Sequence, residues 1–237
     1  MEGPSSGNKK LLITGASGSV GAALVTGLRE RYRVRGFDRR PMPGLDDAVV
    51  GDLADFEAVL KAVEGVDAII HLAAIWTGDA PWEDILQNNI IGTYNVFEAA
   101  RQSGVRRIAF ASRAALYSSY PPDVKRTVDL PLRPRNYYSV SKAFGESLGF
   151  MYFHEFNMEV VCIRIGSFVP NHPKLDQPEQ LSARDAVRVF ERAVIHPGVK
   201  FEVVFGVSDS SFPRFDIAHG VKAIGYQPLD KSIVQAP

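Results

Sequence analysis

A single cysteine, Cys162, stands among the 237 residues, so an intramolecular disulfide and a cysteine-built zinc site are both excluded, and a reducing compartment suits the chain. Long apolar runs are missing as well. No stretch approaches the roughly 20 residues that cross a bilayer, and the opening MEGPSSGNKK lacks the apolar core of a secretory signal. Neither sign of charge is in excess: 27 basic side chains balance 27 acidic ones, so no global field draws the protein toward nucleic acid or an anionic membrane. The five histidines, His71, His154, His172, His196 and His219, lack metal-ligand spacing, and no acidic residue supports them at a ligating offset. Asp46 and Asp47 are adjacent and cannot flank a substrate as a glycosidase pair must; they read as loop solvation. The expectation is a soluble, cytoplasmic protein with a small-molecule ligand and no metal, nucleic acid or membrane partner.

With 46% hydrophobic and 23% charged residues, the composition is that of an ordinary globular protein whose folding rests on apolar burial. Short β-branched runs alternate with helical patterns. The strand candidates are Leu11 to Ile13, Val34 to Phe37, Ala48 to Val50, Ala68 to His71, Ile108 to Ala111, Val160 to Ile165 and Phe201 to Phe205. Helices are expected over Val20 to Glu30, Phe56 to Val63, Trp82 to Gln102, Tyr138 to Phe156 and Ala183 to His196, each of the last four long enough to cross over a parallel sheet. This rhythm predicts a doubly wound α/β fold of Rossmann type with a small C-terminal substrate-binding region. Residues 1–9 read as a flexible leader and 10–237 as one domain. Substrate-facing segments are expected near 113–136 and 167–237, because the proline-rich stretches Tyr120 to Arg135 and Pro170 to Pro178 follow strand carboxyl ends. The tail after Tyr226 has no clear period and reads as peripheral.

Directly after the first strand comes Thr14-Gly15-Ala16-Ser17-Gly18-Ser19-Val20-Gly21, running into a helical pattern. Gly15 suits a tight turn, Gly18 lets a pyrophosphate approach the backbone, and Gly21 lets the helix pack close to its strand. The helix N-terminus then offers unpaired amides to a phosphate, which makes Gly15, Ser17, Gly18, Ser19, Val20 and Gly21 the expected cradle. Asp38 ends the second strand where a carboxylate can receive the adenosine ribose hydroxyls, which favours NAD. The neighbouring Arg39 and Arg40 could hold a 2′-phosphate, so NADP stays open as a second cofactor.

Tyr138-Ser139-Val140-Ser141-Lys142 opens a helix, and its tyrosine and lysine share one face. A free phenol titrates near 10, and bringing it to about 7 requires roughly 4 kcal/mol of phenolate stabilisation, which a nearby ammonium can help supply. Tyr137 is turned well away on the ideal helix, so Tyr138 is the expected base. The aromatic cluster Phe150, Tyr152, Phe153 and Phe156 on the same helix reads as core or subunit packing.

Together, TGASGSVG, YSVSK, Gly51-Asp52-Leu53, His71-Leu72-Ala73-Ala74 and Asn89-Ile90-Ile91-Gly92-Thr93 resemble the extended short-chain dehydrogenase/reductase superfamily, in its NAD-dependent epimerase/dehydratase group. The resemblance spans roughly Lys10 to Tyr226. It implies that Asp52 and Leu53 lie by the adenine, that Leu72, Ala73, Ala74, Asn89 and Ile165 accompany the dinucleotide, and that Lys142 holds the nicotinamide ribose. Within the group, Asp84-Ile85-Leu86-Gln87, Phe110-Ala111-Ser112, Met151-Tyr152-Phe153 and Arg164-Ile165-Gly166-Ser167 look most like the uronate dehydrogenases. The implied substrate is a small cyclic sugar or sugar acid, met by Trp76, Arg113 and Ser167, in a homodimer formed through the two long helices. Arg113 stands where the family carries a catalytic Ser or Thr, and Ser112 is one residue early, so either could orient the substrate. Ala114 and Ala115 replace the Asn and His of the uronate enzymes, and no arginine between Asn171 and Gln180 matches their substrate-binding one. Two other functions stay open: a sugar epimerase or dehydratase, and a catalytically silent dinucleotide-binding regulator.

Overall fold

Strands covered by helices on both faces carry near-continuous apolar runs, and the seven runs of this chain become the seven strands of its central sheet. In the computed structural model, which describes residues 9–170 and 175–234, the chain starts with β1 (Lys10–Thr14), α1 (Ser19–Leu28), β2 (Arg33–Asp38), β3 (Asp47–Val50), α2 (Phe56–Val63) and β4 (Ala68–His71). It continues through α3 (Trp82–Ile85), a π-helical turn (Leu86–Ile91), α4 (Gly92–Gln102), β5 (Arg107–Arg113), a 3-10 turn (Ala114–Tyr117), α5 (Tyr137–Phe156) and β6 (Glu159–Ile165). Last come β7 (Ser167–Val169), β8 (Gln180–Ser182), α6 (Ala183–Ile195), β9 (Phe201–Gly206), β10 (Asp209–Ser210), α7 (Ala218–Ile224) and β11 (Lys231–Ser232). Residues 1–8 of the expected leader and 171–174 of the second proline-rich stretch lie outside the described residues.

All pairings in the large sheet are parallel, in the order β3-β2-β1-β4-β5-β6-β9. The chain therefore winds outward from β1 to one edge and returns at β4 to build toward the other. A crevice opens at that switch, beyond the carboxyl ends of β1 and β4, and open α/β sheets bind ligands in such crevices. On one face α1 and α6 bury Leu24, Leu28, Val189 and Phe190 against Leu11, Ile13 and Ile163. On the other, α2, α4 and α5 bury Val59, Phe97 and Tyr152 against Leu12, Phe110 and Cys162.

Two departures from the sequence expectation bear on the site. The helix expected over Trp82 to Gln102 is broken by its π-helical turn, a feature found often at functional sites. Asn89 within that turn is buried, and its amide serves Ile75 twice, accepting from the Ile75 N–H at 2.8 Å and donating to the Ile75 carbonyl at 3.0 Å. The tail expected to be peripheral is anchored. The buried carboxylate of Asp185 accepts the N–H groups of Leu229 at 2.7 Å and Asp230 at 3.1 Å, and β11 pairs with β10.

Candidate active site

Gly15 adopts φ +73°, in the region that favours glycine, and a Cβ there would meet the backbone nitrogen of Ala73 at 2.8 Å. A Cβ on Gly21 would fall 2.1 Å from the Gly15 carbonyl, so this glycine sets how close α1 starts to its strand. Gly18 caps α1 without a side-chain hydrogen bond, and no acidic residue occupies the first turn. The Ser19, Val20 and Gly21 amides face the cavity with no partner of their own among the described residues, as an anion-binding helix start requires. At the tip of β2, Asp38 accepts from the Ser17 N–H at 3.0 Å and the Arg40 N–H at 3.1 Å, while Arg40 folds back onto the Ser17 hydroxyl at 3.1 Å. Arg39 is exposed at the rim.

The cavity has a volume of about 1310 Å³, more than the roughly 300–1,000 Å³ of an ordinary small-ligand pocket, which leaves room for a dinucleotide and a second small molecule. Its walls include Gly15, Ser17, Gly18, Ser19, Val20, Gly21, Asp38, Arg39, Leu53, Leu72, Ala73, Ala74 and Ile165, all anticipated for the dinucleotide, and Trp76, Arg113 and Ser167, anticipated for substrate. These residues fit NAD: an anion cradle, a ribose-facing carboxylate and an apolar slot line one continuous surface. Asp52 and Asn89 are not in the wall. Asp52 is exposed and turns its carboxylate to the Ala54 N–H at 2.9 Å, whereas Asn89 acts from behind by fixing Ile75, which does line the cavity.

Behind the cradle, Thr14 Oγ1 accepts from the Ala73 N–H at 3.3 Å and lies 2.7 Å from His71 Nδ1, and His71 Nε2 lies 3.1 Å from Thr93 Oγ1. The Thr14 hydroxyl can accept from Ala73 and still donate to or accept from Nδ1, so the direction of both ring contacts follows the imidazole tautomer. Burial, helped by the charge of Lys142, pushes the His71 imidazole down to about 3, so the ring is neutral and the relay ties β1, β4 and α4 together without a charge.

Asn136 caps α5 by accepting from the Ser139 N–H at 2.8 Å, which sets the phase of the helix. In that phase Tyr138 and Lys142 line the cavity, whereas Tyr137 is 54% exposed and packs edge-on to Trp82. Lys142 Nζ is buried 4.9 Å from the Phe110 ring centre and 5.7 Å from that of Tyr138. Burial pushes its ammonium down to about 7, and the nearby Arg113 charge acts in the same direction. Arg113 stacks its guanidinium 4.6 Å from the Tyr138 ring centre and donates from Nη1 to the Ser139 hydroxyl at 3.2 Å. Burial raises the Tyr138 phenol and Arg113 opposes that rise.

Ser112 goes elsewhere. Alternation along β5 turns its side chain to the sheet face opposite Arg113, where it is 1% exposed and donates to Glu146 Oε1 at 2.5 Å. Glu146 is held in turn by Arg164, with Nε and Nη2 donating at 2.8 and 2.7 Å, in a buried ion pair. The strand end does not twist enough to bring Ser112 to the cavity, so the expectation of Ser112 beside the catalytic pair is corrected, and Arg113 alone of the two reaches it. Tyr117, Arg126, Glu179 and Arg214, none of which belongs to a sequence motif, share the same wall. Both expected substrate-facing segments, 113–136 and 167–237, contribute to it.

Comparison with known proteins places this geometry in a family. The profile of the NAD-dependent epimerase/dehydratase family matches residues 11–208. A uronate dehydrogenase of Pseudomonas putida is 39% identical over 94% of this chain and 85% of its own length. An NAD-dependent glucose-6-phosphate dehydrogenase of Haloferax volcanii is 36% identical, covering 95% of each protein. Among solved structures, a mutant uronate dehydrogenase from Agrobacterium tumefaciens complexed with NAD superposes with a TM-score of 0.88 at 36% identity, over 95% of this chain and 86% of that one. The chain belongs to the NAD-dependent epimerase/dehydratase family.

Proposed function

We propose that this protein is an NAD-dependent dehydrogenase that oxidises a hydroxyl of a small cyclic sugar or sugar acid. The observation that carries the reading is the continuous cavity: the dinucleotide turn lines one part of it, and Tyr138 with Lys142 lines another. NAD, when bound, supplies the hydride acceptor. The amides at the start of α1 bind its pyrophosphate, Asp38 receives the adenosine ribose, and Lys142 orients the second ribose. Tyr138 Oη takes the proton of the substrate hydroxyl. With Lys142 lowered to about 7, the permanent positive charge beside the phenolate is Arg113, which takes over by electrostatics part of what a hydroxyl at this position does by hydrogen bonding. Trp76 and Ser167 complete the substrate wall.

The test is NADH formation across uronic acids, aldoses, sugar phosphates and nucleotide sugars, run with NAD and with NADP. NADH appearing with a free sugar, sugar acid or sugar phosphate supports the dehydrogenase. A stereoisomeric product without net NADH would mark an epimerase, and tight NAD binding with no turnover a silent regulator.

The reading extends to assembly. Tyr137, Val140 and Met151 expose apolar surface along α5, with Tyr94 on α4, a face suited to a homodimer through the long helices. Residues 10–237 would work as one Rossmann-type unit in each subunit, in a reducing compartment such as the cytoplasm. Sedimentation equilibrium of Met151→Glu against the parent protein tests the interface, and an unchanged mass would count against it.

A further inference from the structure

Three guanidiniums, those of Arg113, Arg126 and Arg214, line the cavity away from the adenosine end, and the only carboxylate sharing that wall among the described residues is Glu179. At the far part of that wall the two guanidiniums of Arg126 and Arg214 outnumber this carboxylate. The arginines fall into two groups. Arg113 stacks on Tyr138, beside the reacting hydroxyl. Arg126 and Arg214 stand together where two loops meet, the Arg126 N–H donating to the Arg214 carbonyl at 2.7 Å and the Asp216 N–H to the Arg126 carbonyl at 2.8 Å.

Their side chains are not equivalent. Arg126 is buried and spends its donors on its own loop, on the carbonyls of Pro122 at 3.0 Å, Tyr120 at 3.1 Å and Val124. It contributes charge and rigidity, with Nη1 committed twice and Nη2 once to its own loop. Arg214 has a buried Nε with no hydrogen-bond partner among the described residues, an arrangement that costs roughly 1–3 kcal/mol or more unless a ligand repays it. Its backbone is fixed, because Phe215 next to it packs on Phe205 with ring centres 5.0 Å apart. The repulsion between Arg126 and Arg214, only partly offset by Asp123 and Glu179, adds to burial in holding the Arg126 guanidinium below its usual range.

We infer that Arg214, backed by Arg126, is the binding site for a phosphate monoester carried by the substrate at a position remote from the carbon that is oxidised. A guanidinium edge matches phosphate oxygens with two parallel donors. A carboxylate brings one negative charge to these two guanidiniums. A phosphate monoester carries about −1.5 to −2 near pH 7 and answers both. On this assignment the substrate is a hexose oxidised at its anomeric carbon and phosphorylated at its far end. This assignment rests on the dehydrogenase reading and deepens it.

The experiment compares the wild-type protein with Arg214→Met and Arg214→Lys, using hexose 6-phosphates, the matching hexuronates and the neutral hexoses, with NAD affinity measured in parallel as the check on folding. The expected result is a kcat/KM for a hexose 6-phosphate at least about tenfold above the matching hexuronate. In Arg214→Met the KM for that phosphate rises about 10- to 100-fold with kcat nearly unchanged, which is the mark of lost ground-state binding. Arg214→Lys recovers part of the loss, and NAD affinity and neutral-sugar rates do not move. A preference for hexuronate, or an equal loss on neutral sugar, overturns the phosphate site and leaves the dehydrogenase standing. If NAD binds and no sugar turns over, the dehydrogenase reading fails instead. The site is then tested by titrating inorganic phosphate into the NAD-loaded protein: binding weakened by Arg214→Met supports it, and binding that is absent or indifferent to the substitution overturns it.

Discussion

At the scale of single residues, the helical phase of α5 separates two adjacent tyrosines. Tyr138→Phe is expected to lower turnover by at least the roughly 100-fold typical of losing a general base, with NAD affinity nearly unchanged. Tyr137→Phe, on the exposed side against Trp82, should be mild. Steady-state kinetics of both variants check the phase, and reversed effects would refute it. Arg113→Ser removes the cation that opposes the burial-driven rise of Tyr138, so the pH at which kcat climbs should move upward in the variant. A pH–rate profile that stays in place would mean Arg113 does not act on the phenol. Asp38→Ala should weaken NAD more than NADP, because it deletes the ribose acceptor and frees Arg39 and Arg40; calorimetric titration of both cofactors reads the difference. The Tyr–Lys pair and the glycines were legible because each is a local pattern with a fixed helical or turn geometry. The choice between Ser112 and Arg113 was not, since it depends on how far the end of β5 twists, and the partners that capture Ser112, Glu146 and Arg164, come from other elements.

Secondary-structure elements were legible where burial on both faces forces an apolar run, as in β1 and β4, while the edge strand β3 shows instead an alternation of half-buried and exposed residues; all seven strands of the large sheet fall where the sequence put them. The interruption of the Trp82–Gln102 helix was hidden, because its cause lies in a loop preceding it. The π-helical turn carries Asn89 inward, where Nδ2 donates to the Ser141 hydroxyl at 3.0 Å as well as to the Ile75 carbonyl. Asn89 thereby locks the cavity loop to both α5 and the turn itself. Asn89→Ala strips these partners in a buried site and should destabilise the fold by about 2 kcal/mol or more. It should also weaken NAD binding, with much less change in the pH dependence of kcat, as expected of a positioning residue. Denaturant melts together with cofactor titration check this, and a stability loss with unchanged NAD affinity would reduce Asn89 to a packing role.

The whole molecule assembles its site from parts distant in sequence, so the wall that joins Arg126 to Arg214 left no sequence signal: neither arginine belongs to a motif, and only the packing of two loops makes them neighbours. The same long-range logic governs stability through His71, which bridges β1, β4 and α4. Its folded value is lowered to about 3, chiefly by burial, against about 6.5 in the unfolded chain. Above pH 6.5 the ring is neutral in both states and contributes no pH dependence. As pH falls below that value the unfolded chain takes up a proton the folded protein refuses, so stability declines down to about pH 3. At pH 5 the loss is roughly 2 kcal/mol, from about 1.4 kcal/mol for each unit below 6.5. His71→Asn should lower stability at pH 7.5, where it disturbs the Thr14 and Thr93 contacts, and should flatten the decline between pH 6.5 and 5, because the titrating group is gone. Urea melts of both proteins at a series of pH values read the two effects separately. An undiminished slope in the variant would show that acid lability comes from other groups, such as the ion-paired carboxylates of Asp47 and Glu98, whose pKa values are lowered in the fold and which lose stabilisation only on more acidic titration.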